Sequence, residues 1–249
     1  MTSSAISPDT SAPLLVLCGA ESLLHIVLGH GDDVLHAEAI HCPGASVTVL
    51  APAIARILAA HRIAATDLGG VAAVCGPGSF TGLRITLATV AGLGMGAQIP
   101  MAGLELHRLL AAQVPCPGRL WVATYARAHM VYAQLFEHGQ PTRPVRPLSH
   151  QEFRAHVEAQ PGLAVGSGIR RLELPDTVTA LPTRFDTPWP GTLMAAAAKA
   201  AFHRHPPAPR YLRPSDAEEN LPAIAQARGI SETEARRHIP EFVDLPPLS

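Results

Sequence analysis

A strand that runs into a glycine-rich turn and then a helix is one way for a protein to hold phosphate, and residues 71–82, V-A-A-V-C-G-P-G-S-F-T-G, have that form. The apolar run Val71–Cys75 reads as a buried strand. Gly76-Pro77-Gly78 forces a tight turn, and Ser79 and Thr81 are each able to cap a helix start. Phosphate chemistry asks for more. A Walker loop needs G-x-x-x-x-G-K-[ST], with the lysine neutralising the outer phosphates. Here the glycines fall as G-x-G-x-x-x-G, Leu83-Arg84 follow, and the one lysine of the chain is Lys199. The dinucleotide fingerprint G-x-G-x-x-G is missed by one residue. Two readings stay open, a structural turn and a ligand loop without the usual phosphate chemistry.

Other chemistries find less to work with. No two of the thirteen histidines are three or four residues apart, and the close pair His203-x-His205 lies in a proline-rich stretch without a neighbouring Asp, Glu or Cys. No metal is expected. Ser79 does not sit in G-x-S-x-G and no His–Asp pair can be assigned to it, so no catalytic residue is named. The four cysteines, at 18, 42, 75 and 116, form no C-x-x-C and read as reduced, mostly buried thiols, which suits a cytoplasmic protein.

Composition narrows the partners. A chain of 249 residues with 47 % apolar and 16 % charged residues is able to bury a sizeable core, in one domain or two subdomains. No apolar run approaches the ~20 residues of a membrane span. The first ten residues lack a basic stretch before an apolar one, so no signal peptide is expected and 1–13 reads as a flexible tail. A formal net charge of −1 gives no footprint for gripping RNA by its phosphates. The basic clusters Arg143/Arg146, Arg170-Arg171 and His203-Arg204…Arg210…Arg213 read mostly as solvated surface, the competing reading being that one contributes to a composite RNA-binding face.

The block Gly76–Thr89, G-P-G-S-F-T-G-L-R-I-T-L-A-T, followed by a small-residue helix, resembles the signature of the TsaB (YeaZ) family. The likeness continues through Ile99-Pro100, Gly103 and Leu104 and returns at Pro209-Arg210-Tyr211-Leu212-Arg213, similar to the family's P-x-Y-L-R. It spans roughly residues 14 to 213. The resemblance implies an α/β fold of the actin-like, ribonuclease-H-like superfamily, with two subdomains of mixed sheets flanked by helices. It also implies a role beside a TsaD-type transferase in threonylcarbamoyladenosine modification of tRNA next to the anticodon. A TsaE-type ATPase would join that complex, tRNA would be met only through it, and no cofactor is implied.

The departures point the same way. Where the family's first strand ends in I-D-T-S, this chain has Cys18-Gly19-Ala20, and a thiol is a poor ligand for the Mg²⁺ that the superfamily's carboxylate organises. The family's D-A-R is Tyr125-Ala126-Arg127, and its H-S at the start of the first helix is Ala45-Ser46. A non-catalytic scaffold is therefore expected. The alternatives are a vestigial ATP-binding, kinase-like enzyme and a self-associated dimer with no transferase partner.

The elements needed to position these residues follow an α/β order. Strands are expected at Leu14–Cys18, Leu23–Leu28 and Val34–Ile40, then a helix at Ser46–His61 that Pro52 either opens or kinks. After the Val71–Cys75 strand come a helix at Thr81–Ala97, a strand at Pro100–Ala102 and a helix at Leu104–Gln113. Pro115-Cys116-Pro117-Gly118 ends a first subdomain, 14–114. A second, 115–190, holds a hairpin at Leu120–Thr124 and Met130–Phe136, a helix near His150–Ala159 and a strand at Leu163–Val165. Gly166-Ser167-Gly168 is similar to the superfamily's adenosine-side turn, and a plain turn is the competing reading. Leu172–Pro190 reads as loop. A helix at Thr192–Phe202, within 191–213, is expected to return to the first subdomain. The segment 214–249 is an appended helical one, with Asp216–Arg228 interrupted at Pro222 and closed by Gly229 and a capping box at Ser231-x-x-Glu234 before Glu232–Ile239, and either a partner or its own domain is what it would pack on.

One surface stands out. Ala88, Gly92 and Gly96 recur every four residues on the second helix, and glycine inside a helix costs roughly 1 kcal/mol relative to alanine. Close approach of another backbone is the reason sought. With Leu50, Ile54 and Ile57 on the neighbouring helix, the stripe is the expected interface for the transferase, or for a homodimer when the chain is alone. The competing reading packs the stripe on its own sheet.

Overall fold

The computed structural model describes residues 11–212, 221–231 and 233–234. The chain divides into two compact units, Met1–Arg210 and Tyr211–Ser249. The first contains two sheets, each built on a hydrophobic strand that needs cover on both faces.

In the first sheet β1 (Leu14–Cys18) and β4 (Gly70–Gly76) are buried at every residue, the pattern of central strands. They run parallel, Leu15 opposite Val71. β2 (Leu23–His30) and β3 (Asp33–His41) extend the sheet antiparallel on one side, and β5 (Met101–Glu105) extends it parallel on the other, giving the order β3-β2-β1-β4-β5. α1 (Ser46–Ala60) packs against α2 (Phe80–Ala97), and α3 (Leu106–Ala112) packs against α5 (Pro190–Ala198). α5 contacts β1, β2 and β3, and the chain beyond it adds a bridge to the edge, Met101 N–H donating to His203 C=O at 2.7 Å.

The second sheet is ordered β11-β10-β6-β7-β8, from β6 (Arg119–Arg127), β7 (Met130–Glu137), β8 (Gln140–Pro141), β10 (Leu163–Val165) and β11 (Thr179–Ala180). β9 (Arg146–Ser149) pairs with β7. α4 (His150–Ala159) buries Phe153 and Val157 with Trp121, Val131 and Ala164. Its start is a capping box, the Ser149 hydroxyl accepting from Glu152 N–H at 3.2 Å. This pair of mixed sheets with flanking helices is the actin-like, ribonuclease-H-like architecture.

Several boundaries differ from those expected. β5 runs on to Glu105, because Val74 and Gly76 continue the parallel ladder to Leu104 and Glu105, and α3 is correspondingly short. α2 begins at Phe80, capped by Ser79, whose hydroxyl accepts from Gly82 N–H, so Thr81 is inside the helix. α1 begins six residues before Pro52, which sits exposed in its interior and does not open it. α5 starts at Pro190, where a missing N–H costs nothing, and ends before Phe202. α2, at 18 residues and mean hydropathy 1.2, is long and apolar enough to cross a membrane by length and composition alone. One face of it, Leu83, Leu87 and Val90, is buried against the sheet.

In the second unit, α6 (Leu221–Arg228) is followed by Gly229 at φ +64°, as a helix stop requires. Glu234 N–H donates to the Ser231 hydroxyl at 3.2 Å. Residues 216–220, 232 and 235–239 of the two expected helices lie outside the described residues.

Candidate functional site

The glycine-rich turn is filled by protein. β1 ends at Cys18 and the chain turns through Gly19, Ala20 and Glu21 into β2. That turn lies on the Gly76–Gly82 segment, with Ser79 N–H donating to Ala20 C=O at 2.6 Å. A Cβ at Gly78 would overlap the Ala20 carbonyl oxygen, and one at Gly82 the Gly19 carbonyl oxygen. A Cβ at Gly19 would in turn stand 2.8 Å from Thr86 Cγ2. These glycines let two backbone turns touch. The amide of the α2 N-cap, Ser79, is thus used internally.

The rest of the motif is anchored around this contact. Gly76 has φ +130° and precedes a cis bond to Pro77, and Arg210 N–H donates to Cys75 C=O at 2.8 Å. The Arg210 guanidinium pairs with Glu105 at 2.6 Å, which ties the variable second position of P-x-Y-L-R to the end of β5. Arg213 lies outside the described residues. Leu83 is buried in the core, while Arg84 stacks over the Phe80 ring at 3.7 Å near the surface.

Neither substituted position offers a metal ligand of the superfamily type. Burial pushes the Cys18 thiol up to about 12, so it stays protonated. Tyr125 is 40 % exposed with the Arg171 guanidinium 4.7 Å over its ring. The cleft between the sheets nevertheless holds two carboxylates that the sequence reading did not single out. Glu21, in the β1–β2 turn, is hydrogen-bonded to the Ser167 hydroxyl, and Tyr125 N–H donates to the same hydroxyl at 2.9 Å. Desolvation raises the Glu21 carboxyl to about 7, opposed by the Ser167 hydrogen bond and helped by the nearby Asp186 charge. Asp186 accepts Gly166 N–H at 2.9 Å and is clamped by Arg170 at 2.7 and 2.8 Å. Arg170 is exposed, as expected of it, and is in addition tied to Asp186. The Gly166-Ser167-Gly168 turn is fixed from both sides, since a Cβ at Gly166 would overlap the Ala123 carbonyl oxygen.

No local pattern in the chain announces this cluster. Glu21 and Ser167 are 146 residues apart; the Gly166-Ser167-Gly168 turn is marked by its residues, and Glu21 by nothing in its own segment.

The expected interface residues divide. Leu50, Ile54 and Ile57 are 1 %, 4 % and 0 % exposed. They fasten α1 to the sheet and offer nothing to a partner, a correction that follows from the sheet claiming the strongest apolar row of the helix. The outward row of α1 is Val47, Ala51, Ala55 and Ala59, with Val47 69 % exposed. Ala88, Gly92 and Gly96 are exposed on α2, and a Cβ at Gly92 or Gly96 would meet no atom within 4 Å. The glycine that packs on the sheet is Gly94, where a Cβ would overlap Met101.

A family model described as TsaD, tRNA N6-adenosine threonylcarbamoyltransferase, matches residues 44–181. TsaB of Escherichia coli (strain K12), a tRNA threonylcarbamoyladenosine biosynthesis protein, is 29 % identical, covering 77 % of this chain and 90 % of its own length. The chain belongs to the TsaB/YeaZ family. An uncharacterized protein of Mycobacterium bovis is 31 % identical over 87 % of this chain and 94 % of its own. The crystal structure of a Pseudomonas aeruginosa protein described as similar to the peptidase YEAZ has the same fold, with TM-score 0.65 at 21 % identity, over 81 % of this chain and 100 % of that one. Within the TsaB/YeaZ family frame, the Gly76–Thr89 signature is the filled turn and the first half of α2.

Proposed function

We propose that this chain is a non-catalytic scaffold that binds a TsaD-type transferase through the outward rows of α1 and α2 and so supports threonylcarbamoyladenosine modification of tRNA. Family membership ties it to that pathway. The observation behind the scaffold reading is the bare outer face: Val47, Ala51 and Ala55 beside Ala88, Gly92, Met95 and Gly96, small or apolar residues left exposed on packed helices. Small residues let a partner helix approach closely and gain dispersion contacts over many atoms. A transferase sharing this fold would present a similar helix pair, which makes the joint pseudo-symmetric, and the same face would close a homodimer when the transferase is absent. A TsaE-type ATPase would join the assembled pair.

The absence of catalysis is supported by the filled turn at Gly78 and Gly82, by the neutral Cys18 thiol, and by the engagement of Glu21 and Asp186 with Ser167 and Arg170. The kinase-like alternative would need these groups to be released. The test is co-purification of the full chain with a TsaD-type protein, followed by a threonylcarbamoyladenosine assay with and without it. The scaffold reading expects a stable pair, activity that depends on this chain, and no Mg²⁺-dependent ATP turnover by the chain alone. ATP turnover abolished by substitution at Gly19 or Gly78 would overturn it.

A further inference from the structure

One edge of the first sheet gathers charge of a sign that the chain as a whole lacks. Residues 101–112 form β5 and α3, and residues 190–210 form α5 and the chain that returns to the β5 edge. Together they hold Arg108, Lys199, Arg204 and Arg210 against one carboxylate, Glu105. That is a local charge of +3 in a chain whose net charge is −1. Glu105 is already answered twice, by Arg108 at 3.2 Å and by Arg210 at 2.6 Å, and both arginines remain about half exposed. Lys199, the single lysine of the chain, and Arg204 are exposed.

These charges border a cavity of about 540 Å³ between β5, α3 and the end of α5, a size in the range of small-molecule sites. The small side chains of Ala112, Ala196 and Ala200 line it, and Glu105, Arg108 and His203 supply its polar wall. Lys199 and Arg204 each adjoin a lining residue in the chain, Ala200 and His203. His203 is held by its backbone pair with Met101 and makes no hydrogen bond at Nδ1. Its ring stacks on that of His205, with centroids 4.9 Å apart and planes 21° from parallel, and His205 is exposed.

We propose that this patch is an RNA contact: one unpaired base stacks on the His203–His205 pair, the next occupies the cavity, and Arg108, Lys199, Arg204 and Arg210 take the phosphates. Charge complementarity selects a polyanion, and the paired rings select one with flat bases, since every base has a face to stack. A lipid surface fits less well. Among the described residues, none of the large exposed apolar side chains lies in 101–112 or 190–210. The inference rests on the proposed role in tRNA modification only for the source of the strand. Three uncompensated cations are too few to hold tRNA alone, so the patch adds its contacts once the transferase pair has gripped it.

The test is fluorescence anisotropy of the full chain with a labelled single-stranded heptanucleotide RNA, at pH 8 and about 50–200 mM salt. Binding should weaken with a slope near −2 on logarithmic axes, about 0.7 for each of three neutralised phosphates. Lys199→Ala combined with Arg204→Ala, both at exposed positions, should flatten that slope by about 1.4. His205→Ala should weaken binding at least about fivefold with the slope unchanged, because it removes stacking and leaves the four cations in place. Transferase pull-down should survive all three substitutions, which lie outside α1 and α2. A failure of the scaffold reading would show as a missing pair with this RNA binding intact. RNA affinity that is the same in every variant overturns the proposal, and so does an equal affinity for AMP or for a hepta-glutamate peptide.

Discussion

One motif builds two regions of opposite character, its turn and its helix. At the turn, glycine is a packing requirement: Gly78 and Gly82 lie where any Cβ would strike the carbonyls of Ala20 and Gly19. Along the helix, Gly94 repeats that logic against Met101, while Gly92 and Gly96, two residues away and so on the opposite face, meet open space. A glycine that touches its own fold is explained by that fold. A glycine that touches nothing, in a helix it weakens, calls for an explanation outside the monomer. The comparison separates the part of the motif that makes this protein fold from the part left over for assembly.

The largest effect should come from the row that the sequence assigned to the interface. Ile57→Ala removes a fully buried side chain and should cost about 2–5 kcal/mol in urea unfolding. A cost near zero would return that row to the surface and undo the division.

Next in size is the pH dependence of stability set by the cleft. Glu21 is raised in the folded chain above its ordinary 4.5 to about 7. Its favourable contribution is therefore complete below about 4.5 and is lost as pH rises through about 7, roughly 3 kcal/mol at about 1.4 kcal/mol per pKa unit. Unfolding curves at intervals from pH 5 to pH 8 should show that loss in the natural chain and not in Glu21→Gln.

Smaller again is Gly82→Ala. Its Cβ meets backbone, which cannot yield as a flexible side chain does, so a loss of about 1–3 kcal/mol is expected despite alanine's better helix propensity.

The smallest effect on the monomer, and the sharpest for function, is at Gly92. Gly92→Leu should leave the unfolding midpoint unchanged or raise it by up to about 1 kcal/mol of stability, because the site is open and leucine favours helix. Sedimentation and transferase pull-down should both show loss of association. Normal association by a folded Gly92→Leu chain would place the interface elsewhere.

Much of the fold was legible because it rests on local signals. The all-apolar β1 and β4, the 3–4 spacing of α1 and the strand Leu163–Val165 are stated by residues adjacent in the chain. The boundaries that moved were those decided by neighbours. Leu104 and Glu105 favour helix, yet the parallel ladder from β4 keeps them in β5, and α5 shortens so that the chain can reach the edge of β5 at Met101.

The sequence by itself determined that 76–82 must turn, that a helix follows, and that cysteine and tyrosine stand where carboxylates are usual, since those facts depend only on residue type and order. Tertiary structure alone decided which apolar row of α1 is core, which of three helix glycines is packed, and that Glu21 meets Ser167 across the cleft. The physical reason is common to all three: burial and hydrogen bonding depend on what arrives from distant chain segments, and spacing along one segment cannot say which face will be covered.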